Sequence, residues 1–274
     1  LFEDISKVII LSDMDGTLLN SKKQITDTDR KAIDRFRSLG GHFTVATGRT
    51  IQAFQQYVAM LELDMPVIMY NGAAIHDYVS GKTLYTHPLP DKAKEMAIEL
   101  LGRMPQAGGE VLKTDGTYVF SNTEYQQLHT RICNIVPIYR ELPDIEDGGW
   151  LKVLFSLAPE DVGLMELTVR QLGCDKYADF VKSADIFLEM LPLGVSKGSA
   201  LEQYRTLDGM EDFTFVSIGD FDNDLEMIKT ADLGACPANA EEVVKNSADL
   251  VLEHTNDDGA VAELIEYIID KCVK

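Results

Sequence analysis

Four short polar clusters carry the residue types that phosphoryl transfer needs. They are Asp13-Met14-Asp15-Gly16-Thr17, Thr47-Gly48-Arg49, Ser196-Lys197-Gly198 and Gly219-Asp220-Phe221-Asp222-Asn223-Asp224. A carboxylate is a poor nucleophile toward a dianionic phosphate, so such a site must cancel charge, align the attack and supply an acid for the leaving alcohol. Asp13, which ends an apolar run, can attack phosphorus. Asp15, two positions on where the chain turns out of the strand, can protonate the leaving oxygen and later deprotonate water. Gly16 permits a tight turn, and the N–H groups around Met14 and Asp15 can form a concave anion site. Thr17 and Thr47 bring hydroxyls, and Lys197 brings a point-like ammonium at a helix start, where the dipole also favours an anion.

Each cluster alone has an ordinary reading. Asp and Gly favour turns, Ser-Lys-Gly is a common helix start, and the last cluster suits a solvated loop, although it lacks the twelve-residue calcium loop and its Glu. What joins them is the elements that hold them. Val8–Leu11 reads as a strand buried on both faces. Thr26 followed by Asp29 signals a helix start, and Ala32, Ile33, Phe36 and Leu39 repeat with helical period until Gly40-Gly41 stops them. HFTVATGR, IQAFQQYVAMLEL and PVIMYNG continue as strand, helix and strand. The same rhythm returns from KGSALEQYRTL through FTFVSIGD, DLEMIKTA, LGACPANA, AEEVVKNS and DLVLEH to AVAELIEYIIDKCV. Alternation of this kind implies a parallel, doubly wound sheet with its active site at the carboxyl ends of the strands, where all four clusters fall.

Between residues 83 and 190 the texture changes. Asp115-Gly116 reads as the turn joining GEVLKT to TYVFSN, YADFVKSADIFLEM as a strand pair turning around Ser183, and DKAKEMAIELLGRM and EDVGLMELTVRQLG as helices. This predicts an inserted α+β domain. Glu146 to Gly149 reads as a loop tip, and Trp150 as core.

In order and spacing the four clusters resemble the four motifs of the haloacid dehalogenase superfamily. Thr47-Gly48-Arg49 and Asn71-Gly72-Ala73 are similar to sequences of its Cof-type branch, which carries a large α/β cap between the second and third motifs. The resemblance covers residues 1–82 and 191–274; over 83–190 it rests on position and texture. It implies an α/β fold, with a Rossmann-like, doubly wound core that is discontinuous in sequence and an inserted α+β cap that sets specificity. It also implies a Mg²⁺-dependent phosphatase that hydrolyses small phosphate monoesters, such as sugar phosphates, through an aspartyl phosphate. Asp13 is then the nucleophile, Asp15 the acid and base, Thr47 the phosphate-binding hydroxyl and Lys197 the screening cation. Asp220 would ligate Mg²⁺ with Asp13 and the backbone carbonyl of Asp15, and Asp224 would reach the ion directly or through water. Gly48, Arg49, Asn71, Gly72 and Asn223 are the further positions expected to face substrate, with a surface ion pair or a plain turn as the ordinary alternative. Asn239, Asn256 and Asp257 fall in loops at the same end of the sheet, where capping is the expected role.

Composition narrows the partners. Lys plus Arg total 25 against 45 Asp plus Glu, a formal charge of −20, and such a field repels nucleic acid and anionic membrane. It repels a phosphate ester too, so local cations and a metal ion are needed. The cysteines, Cys133, Cys174, Cys236 and Cys272, form no C-x-x-C pair and fit free thiols in a reducing compartment, and the five histidines form no close metal-ligand pair. No run approaches the roughly 18 to 20 apolar residues of a membrane span, and the first residues are acidic where a secretion signal is basic, which predicts a cytoplasmic protein. Two rival readings share much of this chemistry. A phosphomutase also needs the second aspartate and a cap. A receiver-type signalling module also uses Asp, Lys, Thr and Mg²⁺, but it is about half this length and needs no general acid. Substrate, pathway and oligomeric state are not legible.

Overall fold

A computed structural model describes residues 2–272. The chain opens with β1 (Val8–Ser12), α1 (Asp27–Ser38), β2 (His42–Val45), α2 (Ile51–Leu61) and β3 (Val67–Met69), followed by β4 (Ala74–Asp77) and β5 (Lys82–Thr86). The middle stretch contains α3 (Ala93–Arg103), β6 (Gly108–Lys113), β7 (Gly116–Ser121), α4 (Glu124–Ile132), β8 (Pro137–Tyr139), β9 (Lys152–Ser156), α5 (Pro159–Leu172), β10 (Ala178–Ala184) and β11 (Phe187–Pro192). The closing stretch contains α6 (Lys197–Arg205), β12 (Thr214–Ile218), α7 (Leu225–Thr230), β13 (Leu233–Cys236), α8 (Glu242–Lys245), β14 (Leu250–Val251) and α9 (Ala260–Cys272). Two compact units result, one of residues 1–48, 58–85 and 196–274, the other of residues 49–57 and 86–195.

The first unit is built on a five-stranded sheet in the order β14-β13-β12-β1-β2, parallel throughout. β1 sits inside it and every one of its residues is buried, which is why Val8 to Leu11 form an unbroken apolar run. The α1 start follows the expected capping: the Thr26 hydroxyl accepts the Asp29 N–H at 3.0 Å. Asp29 is itself buried, and its carboxylate accepts the Ala262 N–H of α9 at 2.8 Å, so one side chain ties two helices together. The helix stops where predicted, with Gly40 at φ +95°.

The second unit has a six-stranded sheet in the order β10-β11-β9-β6-β7-β8, mostly antiparallel, with β7 and β8 parallel. Val111, Val153, Phe155, Leu188 and Met190 pack with Met96, Leu100, Met165 and Val169 of α3 and α5 into one core. Trp150 is part of that core, and its indole N–H donates to the Glu146 carbonyl at 2.8 Å. Two turns differ from expectation. Lys113 pairs with Gly116, so Thr114-Asp115 makes the turn and Gly116 already belongs to the strand. In the other pair the register shifts between Lys182 and Ala184, making Ser183 a bulge, and the turn lies at Asp185-Ile186.

Candidate active site

The first unit gathers its acidic groups where β1 and β12 end. The Asp13 N–H donates to the Ile218 carbonyl at 2.9 Å, which carries the parallel pairing one residue beyond the strands and fixes the Asp13 backbone. Just beyond, Gly16 adopts φ +91°, and a side chain there would collide with the Asp220 carboxylate, so glycine is required on both counts. Asp13, Asp220 and Asp224 each offer a carboxylate oxygen, all within 4.8 Å of one another.

Lys197 is placed by its helix. Ser196 caps α6 reciprocally: the Ser199 N–H donates to the Ser196 hydroxyl and the Ser196 N–H to the Ser199 hydroxyl, each at 2.9 Å. Lys197 is therefore the first helical residue, and it is fully buried. Its ammonium donates to Asp13 Oδ1 and, at 2.6 Å, to Asp224 Oδ1. Asp224 Oδ2 accepts the N–H groups of Asp220 at 3.0 Å and Phe221 at 3.2 Å, so the loop carrying Asp220 is folded around a buried carboxylate. The Thr17 hydroxyl donates to Asp220 Oδ1 at 2.6 Å.

Electrostatics decide what the cluster can hold. Burial pushes the Asp13 carboxyl up to about 7, with Asp224 and Asp220 adding to the push, although Lys197 pulls against it. Burial likewise raises Asp220, to about 6, against the Thr17 hydrogen bond. Lys197 moves the other way from a simple buried amine: burial disfavours its charge, but Asp13 and Asp224 outweigh that and raise it. Three close carboxylates face one ammonium, so the ionised cluster has an excess of negative charge. A hard divalent cation on these oxygens removes that excess, and the donor set fits one.

Thr47 is buried just after β2. Its N–H donates to the Ile68 carbonyl at 2.9 Å, and its carbonyl accepts the Asn71 N–H at 3.1 Å, so the ends of β2 and β3 are stitched together. Asn71 takes a left-handed conformation at φ 56°, and its Oδ1 accepts the Asn223 amide at 3.3 Å, which links the second and fourth clusters. A Cβ on Gly48 would stand 2.7 Å from that same Oδ1. Gly72, at φ +108°, lies against the Ser196 carbonyl. Asp15, with its side chain 42% exposed, pairs with Lys23 at 2.8 Å. Arg49 groups with the second unit and stacks on the Tyr57 ring, 5.1 Å from its centroid.

Several participants carry no motif. Lys23 reaches Asp15 because Asn20 to Gln24 close a tight turn, with the Lys23 N–H donating to Asn20 at 2.8 Å. Thr17, which does belong to the first cluster, steadies the first loop through a partner, Asp220, that lies 203 residues away. The Asn239 amide donates to the Gly16 carbonyl at 2.8 Å, and the Asn256 amide to the Leu19 carbonyl at 2.9 Å. Asp257 accepts the Ser21 N–H at 2.7 Å. These late loops thus brace the first loop, a role wider than capping.

The haloacid dehalogenase-like hydrolase family matches residues 10–265. The chain belongs to that family. It is 27% identical over 273 residues to a 5-amino-6-(5-phospho-D-ribitylamino)uracil phosphatase of Bacillus subtilis (strain 168), covering 97% of this chain and 98% of the relative. It is 24% identical to a pyridoxal phosphate phosphatase of Escherichia coli (strain K12), covering 95% and 98%. Among solved structures, a haloacid dehalogenase-like hydrolase from Bacteroides thetaiotaomicron superposes with a TM-score of 0.85 at 27% identity, over 95% of this chain and 99% of that one. Among the described residues, no helix is long and apolar enough to cross a membrane.

Proposed function

We propose that this protein is a Mg²⁺-dependent phosphatase of small phosphorylated metabolites, sugar phosphates among them, that works through an aspartyl phosphate on Asp13. It is a phosphoric monoester hydrolase. The observation that carries the reading is the buried Lys197 ammonium held between Asp13 and Asp224, with Asp220 alongside. A nucleophilic carboxylate, a cation beside it and two further acidic groups form the charge pattern that phosphoryl transfer requires.

In this reading an Asp13 carboxylate oxygen attacks phosphorus and the bond to the alcohol oxygen breaks. Asp15, exposed enough to meet a substrate, donates its proton to that leaving oxygen. Water then attacks the phosphorus of the aspartyl phosphate, Asp15 takes a proton from it, and the bond from phosphorus to the Asp13 oxygen breaks, releasing inorganic phosphate and the free carboxylate. Lys197 and the Thr47 hydroxyl hold phosphoryl oxygens, with Asn71, Gly72, Gly48, Asn223 and Arg49 as further substrate contacts. Asp13, Asp220, Asp224 and the Asp15 carbonyl would hold Mg²⁺, which when bound supplies the positive charge that lets a carboxylate approach a phosphate dianion. The inserted stretch, residues 83–190, is assigned as a cap that selects the substrate; Asp13, Asp15, Thr47, Lys197, Asp220 and Asp224 all belong to the first unit.

The relatives named for 5-amino-6-(5-phospho-D-ribitylamino)uracil and pyridoxal phosphate make those two compounds rational members of a substrate panel. The test is phosphate release across sugar phosphates, nucleotides, organic acid phosphates and cofactor phosphates. Release from none of them, or conversion of one hexose phosphate isomer to another without free phosphate, would overturn the reading.

A further inference from the structure

The second unit buries a chain of polar side chains that the proposed phosphatase chemistry does not use. Glu110, on β6, is fully buried. It alternates with Val111, so it points to the sheet face opposite the α3 and α5 core, toward α4. Its Oε2 accepts the Gln126 amide at 2.5 Å, and Gln126 Oε1 accepts the Ser156 hydroxyl at 3.2 Å. Its Oε1 lies 3.2 Å from His129 Nδ1. Those two atoms have no aligned hydrogen bond among the described residues, so each is the other's electrostatic complement. On the far side of the ring, His129 Nε2 lies 3.4 Å from Cys133 Sγ. The Phe187 ring closes the imidazole edge-on, with centroids 4.9 Å apart.

This order of carboxylate, imidazole and thiol is the arrangement that activates a cysteine nucleophile: a base within reach, itself oriented by a third group. The spacing explains its assembly, because residues four apart on one helix stand on the same face and put His129 against Cys133. A fully buried carboxylate without a cation is costly, which makes the imidazolium the natural partner of Glu110. Burial would strip the proton from His129, but the contact with Cys133 and the charge of Glu110 outweigh it and push the imidazole up to about 9. Glu110 from β6 and Cys133 from α4 are the charged or titratable groups acting on it; β9 presents Ser156 through Gln126, and β11 presents Phe187.

We propose that Cys133 is a reactive thiol, set against the imidazole of the Glu110–His129 pair, and that it is a site of thiol–disulfide exchange with small disulfides. Cys133 Sγ gives up its proton to solvent, attacks one sulfur of the disulfide and forms a new S–S bond. The old S–S bond breaks, and the other half leaves as a thiolate that takes a proton from water. The cysteine is oxidised to a mixed disulfide and the departing half is reduced. Cys133 is half-buried, so a small reagent can reach it. Burial pushes the other three thiols up, Cys236 to about 11, with Asp4 adding to the rise at Cys272.

The test measures modification of each cysteine in the folded, full-length enzyme near neutral pH, with iodoacetamide and with oxidised glutathione, read by peptide mass spectrometry. Cys133 should react at least ~10-fold faster than Cys272, the other half-buried thiol, and His129→Asn should remove most of that advantage, with Glu110→Gln removing part. A Cys133 rate no greater than that of Cys272, or one unchanged in His129→Asn, overturns the proposal. Should His129→Asn fail to fold, the Cys133 rate in Glu110→Gln decides: a fall toward that of Cys272 supports the pair, and no change overturns it. Phosphatase activity enters neither readout, so this proposal stands or falls apart from the proposed function.

Discussion

Gly72 stands against the carbonyl of Ser196, so the turn after β3 supports the residue that caps α6 and precedes Lys197. The contact leaves no room for a side chain, and φ at Gly72 is +108°, outside the range that other residues adopt without strain. Gly72→Ala should therefore both destabilise the protein, by about 1–3 kcal/mol for the backbone alone, and displace Lys197 from Asp13. A shift of about 1 Å at a reacting group can cost roughly 10²-fold in rate. Gly81→Ala is the control, since Gly81 also has positive φ but nothing within 4 Å of its missing side chain. It should lose a little stability and no turnover. Equal kcat in the two variants would show that the Gly72 contact does not position the site.

Much of the fold and of the acidic cluster is legible in the amino-acid sequence. Strand ends can be read because apolar runs stop at acidic residues, and the α1 cap because Thr26 and Asp29 stand at a spacing with a physical meaning. Local rules of that kind cannot see partners far apart in the chain: Thr17 with Asp220, Asn239 with Gly16, or Lys23 folded back to Asp15. The inserted unit is less legible for the same reason. α4 carries few apolar residues, and its buried Gln126 and the half-buried His129 look like surface residues until Glu110 arrives from another strand. Asp115-Gly116 misleads because the dipeptide suits a turn, whereas the register with Lys113 makes Gly116 a strand residue.

Removal of divalent metal should abolish turnover and lower the melting temperature. Asp220→Ala should do likewise, since it takes away one of the clustered carboxylates and the acceptor of the Thr17 hydroxyl. A ligand at 100 times its Kd stabilises by about 2.7 kcal/mol, enough to read as a Mg²⁺-dependent rise in Tm for the parent protein and little or none for the variant. Full activity in EDTA-treated enzyme, or an equal Mg²⁺ shift in Asp220→Ala, contradicts the metal assignment.

The Glu110–His129 pair should make part of the stability depend on pH. His129 lies at about 9 in the folded chain, above the ordinary value of 6.5. Its contribution is therefore fully present below pH ~6.5 and is lost as pH rises through the folded value. Glu110→Gln removes the pairing charge. The stability difference between parent and variant, from urea unfolding, should be greatest near pH 6, on the order of 2–3 kcal/mol, and shrink by pH ~9.5. Other groups titrate in both proteins and cancel in the difference. A gap that does not change with pH means that no ion pair forms.

The sharpest expectation separates Asp13 from Asp15, two residues apart in sequence but in different surroundings. Asp13 is buried against Lys197, whereas Asp15 is part-exposed and paired with Lys23. Asp13→Asn removes the attacking carboxylate and one member of the acidic cluster, so no covalent intermediate forms and turnover disappears. Asp15→Asn keeps the side-chain size and the backbone while removing the acid and base. Loss of a positioned proton donor costs about 10² to 10⁴ in rate, and more where the leaving alkoxide is poor. Asp15→Asn should accordingly be slow on sugar phosphates and much less impaired on p-nitrophenyl phosphate, whose leaving group barely needs a proton. Attack of water on the intermediate slows in the same variant, so phosphate should accumulate on Asp13. Rapid-quench labelling with peptide mapping reads this directly. Label on any residue other than Asp13, or turnover by Asp13→Asn, refutes the aspartyl phosphate mechanism, and an equal loss on both substrates removes Asp15 from the role of acid.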